Sequence, residues 1–196
     1  VNAGTQLARI DSLSGIVSPG VLGSFVLLGV FPLVAKAILG ALQARRLYAG
    51  WEKPARFDRN LVVIGGGAAG LVTSYIAAVV RAKVTLVEGH KMGGDCLNFG
   101  CVPSKALIRT ARFMKDVRLA PRLGVASAQA TLKMEDVMAR VKRVVTAIEP
   151  HDSVARYTGL GVEVRQGHAT ITSPWTVEID GKTLSTRAIV IAAGAR

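Results

Sequence analysis

"LVVIGGGAAGLVTSYIAAVVRAKVTLVE", Leu61 to Glu88, runs from an apolar stretch through a glycine loop and a helical stretch into a second apolar stretch. "LVVI" (Leu61 to Ile64) has the length and branching of a buried strand, Ala68 to Ala82 reads as a helix, and "KVTLVE" (Lys83 to Glu88) as the next strand. Two such strands joined by one helix pair in parallel through a right-handed crossover, so the chain is α/β. Gly65, Gly67 and Gly70 fall in the G-x-G-x-x-G pattern directly after the first strand and at the helix start. In that setting the first glycine permits a tight turn and the second lets the backbone approach a pyrophosphate. The third allows close packing, and Ala68 and Ala69 lie at the helix N-terminus, where phosphates are held. Glu88 closes the second strand about 20 residues on, where a carboxylate accepts hydrogen bonds from ribose hydroxyls. The loop therefore indicates a Rossmann-like dinucleotide site, and by itself does not choose between FAD and NAD.

A second signal lies close by. "GGDCLNFGCVPSKAL" (Gly93 to Leu107) contains both cysteines of the chain, Cys96 and Cys101. Two cysteines do not make a disulfide-stapled scaffold, and two ligands do not make a zinc site, so no metal is expected. Five residues of ideal helix rise about 7.5 Å, too far for a disulfide, so the pair can bridge only across an irregular helix start. Asn98 and Gly100 supply the irregularity, and a helix is expected from Pro103 to Ala120. Cys101 then sits near a helix N-terminus with Lys105 one turn on, and both features stabilise a thiolate.

"GGDCLNFGCVPSK" resembles the redox-active segment of the class I pyridine nucleotide-disulfide oxidoreductases, which include dihydrolipoamide dehydrogenase, glutathione reductase and mercuric reductase. The resemblance extends from about Asn60 to the end. It implies an FAD-binding domain in which NAD(P)H reduces FAD and the flavin reduces the cysteine pair. Cys96 would be the interchange thiol facing the substrate, Cys101 the charge-transfer thiol against the flavin, and Lys105 a partner near flavin N5. Gly93 and Gly94, "GHA" with His168 and Ala169, and the closing "IVIAAG" with Ala193 and Gly194 look like further FAD-contacting stretches. Asp95 and Ala193 stand where the family commonly has threonine. An acid beside a pyrophosphate is electrostatically unfavourable, which argues against direct phosphate contact by Asp95. The chain opens at Val1 and stops at "AIVIAAGAR", so a fragment is expected, with the NAD(P)H site, the rest of the FAD site and a dimer-interface domain outside it. The last of these would donate a His-Glu acid/base pair from the partner of a homodimer. His90, His151 and His168 do not match that role, and the first two read as surface residues.

Ser12 to Ala35 carries no charge, and the apolar run continues past Lys36 to Leu42. A helix of that length can cross a hydrocarbon core of about 30 Å, with Lys36 snorkelling to the edge and Pro32 kinking or breaking it. Arg45, Arg46, Lys53, Arg56 and Arg59 follow, so the positive-inside rule expects an inner-membrane protein with its catalytic domain cytoplasmic. The same cluster could touch anionic head groups. Residues 1–48 resemble the end of a DedA-type (SNARE-associated) membrane domain, 49–59 read as a basic linker, and 60–196 as the FAD-binding domain.

The net charge of +12 is scattered along the chain and only 5% of residues are aromatic, which argues against a nucleic-acid partner. Downstream, "KMEDVMARVKRVVTAIEP" places Val137, Val141, Val144, Val145 and Ile148 on one helix face, and Asp180-Gly181 marks a hairpin between short strands. The expected function is a membrane-anchored, FAD-dependent reductase of a disulfide or metal ion. The alternative is a non-catalytic redox-sensing flavoprotein domain attached to a lipid- or solute-handling membrane domain. A plain NAD-binding module leaves Cys96, Cys101 and Lys105 unexplained.

Overall fold

The structure, a computed structural model, describes residues 19–194. The chain divides into two compact units after Trp51. In the first, helix α1 (Pro19–Leu47) is continuous across Pro32. Every large apolar side chain from Leu22 to Leu42 is exposed. The Leu22–Leu47 stretch, 26 residues at about 1.5 Å each, is long and apolar enough to cross a membrane.

The second unit holds strands β1 (Arg59–Ile64), β2 (Val84–Glu88), β3 (Val162–Gln166), β4 (Ala169–Ser173), β5 (Thr176–Ile179) and β6 (Lys182–Ile191). Its helices are α2 (Ala68–Val79), α3 (Gly94–Asn98), α4 (Cys101–Leu119), α5 (Met134–Ile148) and α6 (Val154–Gly159). The sheet order is β3-β2-β1-β6-β5-β4. β3, β2, β1 and β6 run parallel, while β5 and β4 return antiparallel beside β6. This parallel-rich α/β sheet fits a Rossmann-like FAD-binding domain.

The unbroken apolar run of β1 has a simple cause: both faces of the strand are covered. Val63 points into a core with Leu71, Val84, Leu86, Met92, Tyr157 and Val162, and its neighbour Val62 into one with Val87, Val177 and Ile179. The hairpin at Asp180-Gly181 forms with both residues at positive φ, pairing Ile179 with Lys182.

Several boundaries differ from expectation. α2 stops at Val79, because Arg81 adopts a φ of 60° and turns the chain. α4 begins at Cys101, with Pro103 inside its first turn, where no N–H is required. Arg59, expected among the free basic residues, opens β1 and is committed to an ion pair with Glu163.

That ion pair belongs to a network along the parallel edge. Arg59 Nε donates to Thr85 Oγ1 at 2.7 Å, Thr85 donates to Glu163, and Arg165 binds the other Glu163 oxygen at 2.7 Å. Burial pushes the Glu163 carboxyl up, but hydrogen bonds from Arg59 and Arg165 outweigh it and hold the group below its usual range. A depressed carboxylate stabilises the fold above its unfolded pKa and loses that contribution as pH falls through the folded value. Glu163→Gln is therefore expected to cost about 1 kcal/mol at neutral pH. Melting curves of variant and wild type should converge below the ordinary glutamate range; a pH-independent difference would contradict the ionic account.

Candidate functional site

A cleft of about 500 Å³ opens at the C-terminal ends of β1, β2 and β6. Gly65, Gly67, Ala68, Ala69, Glu88, Gly94, Ala193 and Gly194, all expected from the sequence, line it. The three glycines of the loop do different work. A Cβ on Gly65 would stand 2.3 Å from the Ala192 carbonyl oxygen, and one on Gly70 would stand 1.7 Å from the Gly65 oxygen. Both are packing positions. A Cβ on Gly67 would meet only Gly94 Cα, at 3.7 Å, so the fold leaves room there. Gly67 is the position where the cleft, rather than the protein interior, needs a bare backbone.

Glu88 is oriented by the backbone. One of its carboxylate oxygens accepts the Gly66 N–H, the other the His90 N–H at 2.7 Å. Each oxygen keeps capacity to accept again, which suits a ligand hydroxyl. The glycine cradle, the start of α2 and this carboxylate together fit a dinucleotide such as FAD.

Most of the opposite wall was not legible in advance. His90, Lys91, Asp95, Asn98, Phe99 and Ala192 also line the cleft. All but Ala192, which follows β6, arrive because the loop after β2 folds back on the glycine loop: Gly93 donates to the Gly66 carbonyl at 2.9 Å and Met92 is buried in the core. Gly93 and Gly94 both have positive φ, and a Cβ on Gly94 would stand 2.6 Å from Gly67 Cα. The two backbones touch, so the pair of glycines is a steric requirement. His90 is a surface residue and also a cleft residue. Asp95 lines the same cleft as Gly67, with Lys91 providing opposite charge in the lining.

Gly70, Gly93, Cys96, Cys101, Lys105, His168 and Ala169 do not line the cleft. His168 is exposed at the corner between β3 and β4, its ring packed where a Cβ on Gly89 would stand 3.0 Å away. The corner is tied to the end of β2, since Gly167 donates to the Glu88 carbonyl at 2.9 Å.

The cysteines sit on the segment that walls the cleft. Cys96 is in α3, half-buried, and Cys101 is the first residue of α4, exposed. Between them the helix is broken: Phe99 and Gly100 both donate to the Asp95 carbonyl, at 2.9 and 2.6 Å, and Gly100 adopts φ −111°, ψ −99°. The Asn98 amide pins the break by donating to Met92 and Gly94 carbonyls, at 3.1 and 2.8 Å. The irregular start expected of Asn98 and Gly100 is present, and it sets the Cys96 and Cys101 side chains close enough to interact.

That contact is the main cause pushing the Cys96 thiol above its ordinary range, followed by burial and the Cys101 charge; Lys105 pulls the other way. Cys96 therefore holds its proton more strongly than a free thiol does. Removing the partner sulfur in Cys101→Ala is expected to shift the pH profile of Cys96 alkylation by iodoacetamide to lower pH. An unchanged profile would mean that the sulfurs do not interact.

The family profile described as pyridine nucleotide-disulphide oxidoreductase matches residues 59–196. The chain is 33% identical over 138 residues to a dihydrolipoyl dehydrogenase of Mycoplasma pneumoniae, covering 70% of this chain and 30% of that protein. It is 32% identical over 145 residues to a glutathione reductase of Burkholderia cepacia, covering 72% and 31%. It is 27% identical over 139 residues to a mercuric reductase of Bacillus cereus, covering 71% and 22%. The chain thus spans about a third or less of the length of these relatives. With a glycine-cradled cleft, a cysteine pair on the segment that follows its lining loop and the profile match over all six strands, the chain belongs to the pyridine nucleotide-disulphide oxidoreductase family.

Proposed function

We propose that this chain is the FAD-binding part of a membrane-anchored reductase that takes electrons from NAD(P)H and passes them through Cys96 and Cys101 to a disulfide or metal-ion substrate. The observation that carries the reading is that the helix break at Asn98 and Gly100 sets Cys96 and Cys101 side by side on the segment whose Asp95, Asn98 and Phe99 line the glycine-cradled cleft. The family uses FAD and NAD(P)H, and FAD, when bound, supplies a two-electron reductant beside the protein's thiols. The glycine loop would hold the pyrophosphate at the start of α2, Glu88 the ribose, and Lys105 would stand near the isoalloxazine ring.

The chain's own chemistry follows from the pair. Starting from two thiols, Cys96 gives up its proton and attacks one sulfur of the substrate disulfide, which leaves as a thiol. Cys101, near the positive end of α4, then attacks Cys96 Sγ, releases the second substrate thiol and closes the Cys96–Cys101 disulfide. The substrate gains the two electrons and two protons that the cysteines lose.

The membrane half of the proposal rests on α1, its exposed large apolar side chains and Arg45 and Arg46 in its last turn, which favour the inner membrane with the sheet unit cytoplasmic. Residues 1–48 as the end of a DedA-type domain, 49–59 as a linker, and a homodimer completed outside these residues belong to the same proposal. Gly67→Ala provides the test of the cofactor site. It should leave the melting temperature within about 2 °C of wild type and weaken FAD binding by at least about tenfold. Undiminished FAD binding by this variant would overturn the assignment of the cleft.

A further inference from the structure

A second cavity, of about 390 Å³, is lined by Lys53, Pro54, Ala55, Phe57, Trp175 and Arg187. It is assembled from three separate pieces of chain. Lys53 to Phe57 precede β1, Trp175 is in the turn between β4 and β5, and Arg187 is in β6. The Arg187 guanidinium lies 5.9 Å from the Phe57 ring centroid, within cation–π range.

The piece before β1 is fastened to the sheet. Asp58 donates its N–H to Ser185 Oγ at 3.0 Å, and its carboxylate accepts the Ser185 N–H and hydroxyl at 2.9 and 2.8 Å. Those two bonds, the backbone one first, hold the Asp58 carboxyl below its usual range. Thus Lys53 and Phe57 are held against Arg187 and Trp175 by the fold rather than left to a free linker. Two cations line the cavity and no acid does; Glu52 is adjacent in sequence, and Asp58 is engaged with Ser185. Of the basic cluster after α1, Arg59 is withdrawn into the Glu163 ion pair, while Arg187, remote in sequence, takes its place beside Lys53.

We infer that this Lys53–Arg187 cavity receives the phosphate head group of an anionic membrane lipid and holds the sheet unit at the bilayer surface. Three features select that occupant. The lining pairs cations with aromatic rings, the composition that suits a membrane interface, where one end of a side chain is wet and the other apolar. Its first residue, Lys53, follows Leu47, the last residue of the apolar helix, closely enough that the chain tethers it within roughly 20 Å of the helix end, in reach of lipid phosphate if α1 is inserted. Finally, exposed basic residues near an anionic leaflet each contribute roughly fivefold to association. The inference rests on the membrane-anchored reading above, and its test separates the two.

The full chain carrying Trp51→Phe, which leaves Trp175 as its one tryptophan, is reconstituted into vesicles of phosphatidylcholine alone or with phosphatidylglycerol, each with a head-group quencher. Trp175 emission should be quenched in the anionic vesicles and not in the neutral ones, and about 1 M salt should reverse the quenching. Adding Lys53→Glu and Arg187→Glu together should weaken the effect by more than about 25-fold in lipid titration; Arg187→Lys, which keeps the charge, should retain most of it. Equal quenching in neutral and anionic vesicles, or no effect of the double reversal, would overturn the inference. A spectral shift produced equally by inorganic phosphate without vesicles would also overturn it, in favour of a small-anion site. Retention on vesicles after the salt wash reports the anchor alone, so loss of the anchor and loss of head-group binding are read separately.

Discussion

Gly70→Ala is expected to abolish the cooperative unfolding transition of the sheet unit, or to lower its midpoint by more than about 10 °C. The added Cβ would stand 1.7 Å from the Gly65 carbonyl oxygen and 2.9 Å from its carbon. Neither side can yield cheaply. Gly65 donates to the Val87 carbonyl at 2.7 Å and abuts the Ala192 backbone, while Gly70 sits in the first turn of α2 above Val63. Overpacking between two backbones exceeds the usual 1 to 3 kcal/mol of a crowded core, so a loss above about 3 kcal/mol is expected. That is a large part of a domain's total stability. Circular dichroism melts of Gly70→Ala and Gly67→Ala make the comparison: the first should collapse and the second should not. Similar melts for both would contradict the division of labour assigned to the loop.

The other large effect concerns the cysteines. On the proposed function, Cys96→Ser and Cys101→Ser in the whole protein should each lower NAD(P)H-dependent disulfide reduction by at least about a thousandfold, because exchange needs an attacking and a resolving thiol acting as a unit. The double variant should be no worse than either single one. Thermal stability should hardly change, since Cys101 is exposed and Cys96 only half-buried. Activity surviving in either single variant would reduce the pair to a structural feature.

Much of the site could be read from residues because its signals are local. The strand, glycine loop, helix and strand of Leu61 to Glu88 lie in one stretch, and each element's type follows from its own periodicity. The broken helix start at Asn98 and Gly100 was legible for the same reason. What escaped depends on pairing at long range. The second wall of the cleft exists because Met92 is buried and Gly93 bonds Gly66, and nothing in "GHKMGG" states where that loop will land. Arg59 looked like one more linker cation, yet its partner Glu163 comes from β3, two strands away. The Lys53–Arg187 cavity likewise required β6 to lie beside β1, a strand order that local alternation does not encode.

The central claim is that Cys96 and Cys101 exchange electrons as a pair. The chain is equilibrated in thiol–disulfide buffers of graded potential, its thiols are trapped with a mass tag, and the tags per molecule are counted by mass spectrometry. A redox pair should pass directly from two tags to none as one intramolecular disulfide forms, with the ratio changing tenfold per about 30 mV. A prevailing one-tag species, each thiol reacting on its own with no Cys96–Cys101 bond, would contradict the account.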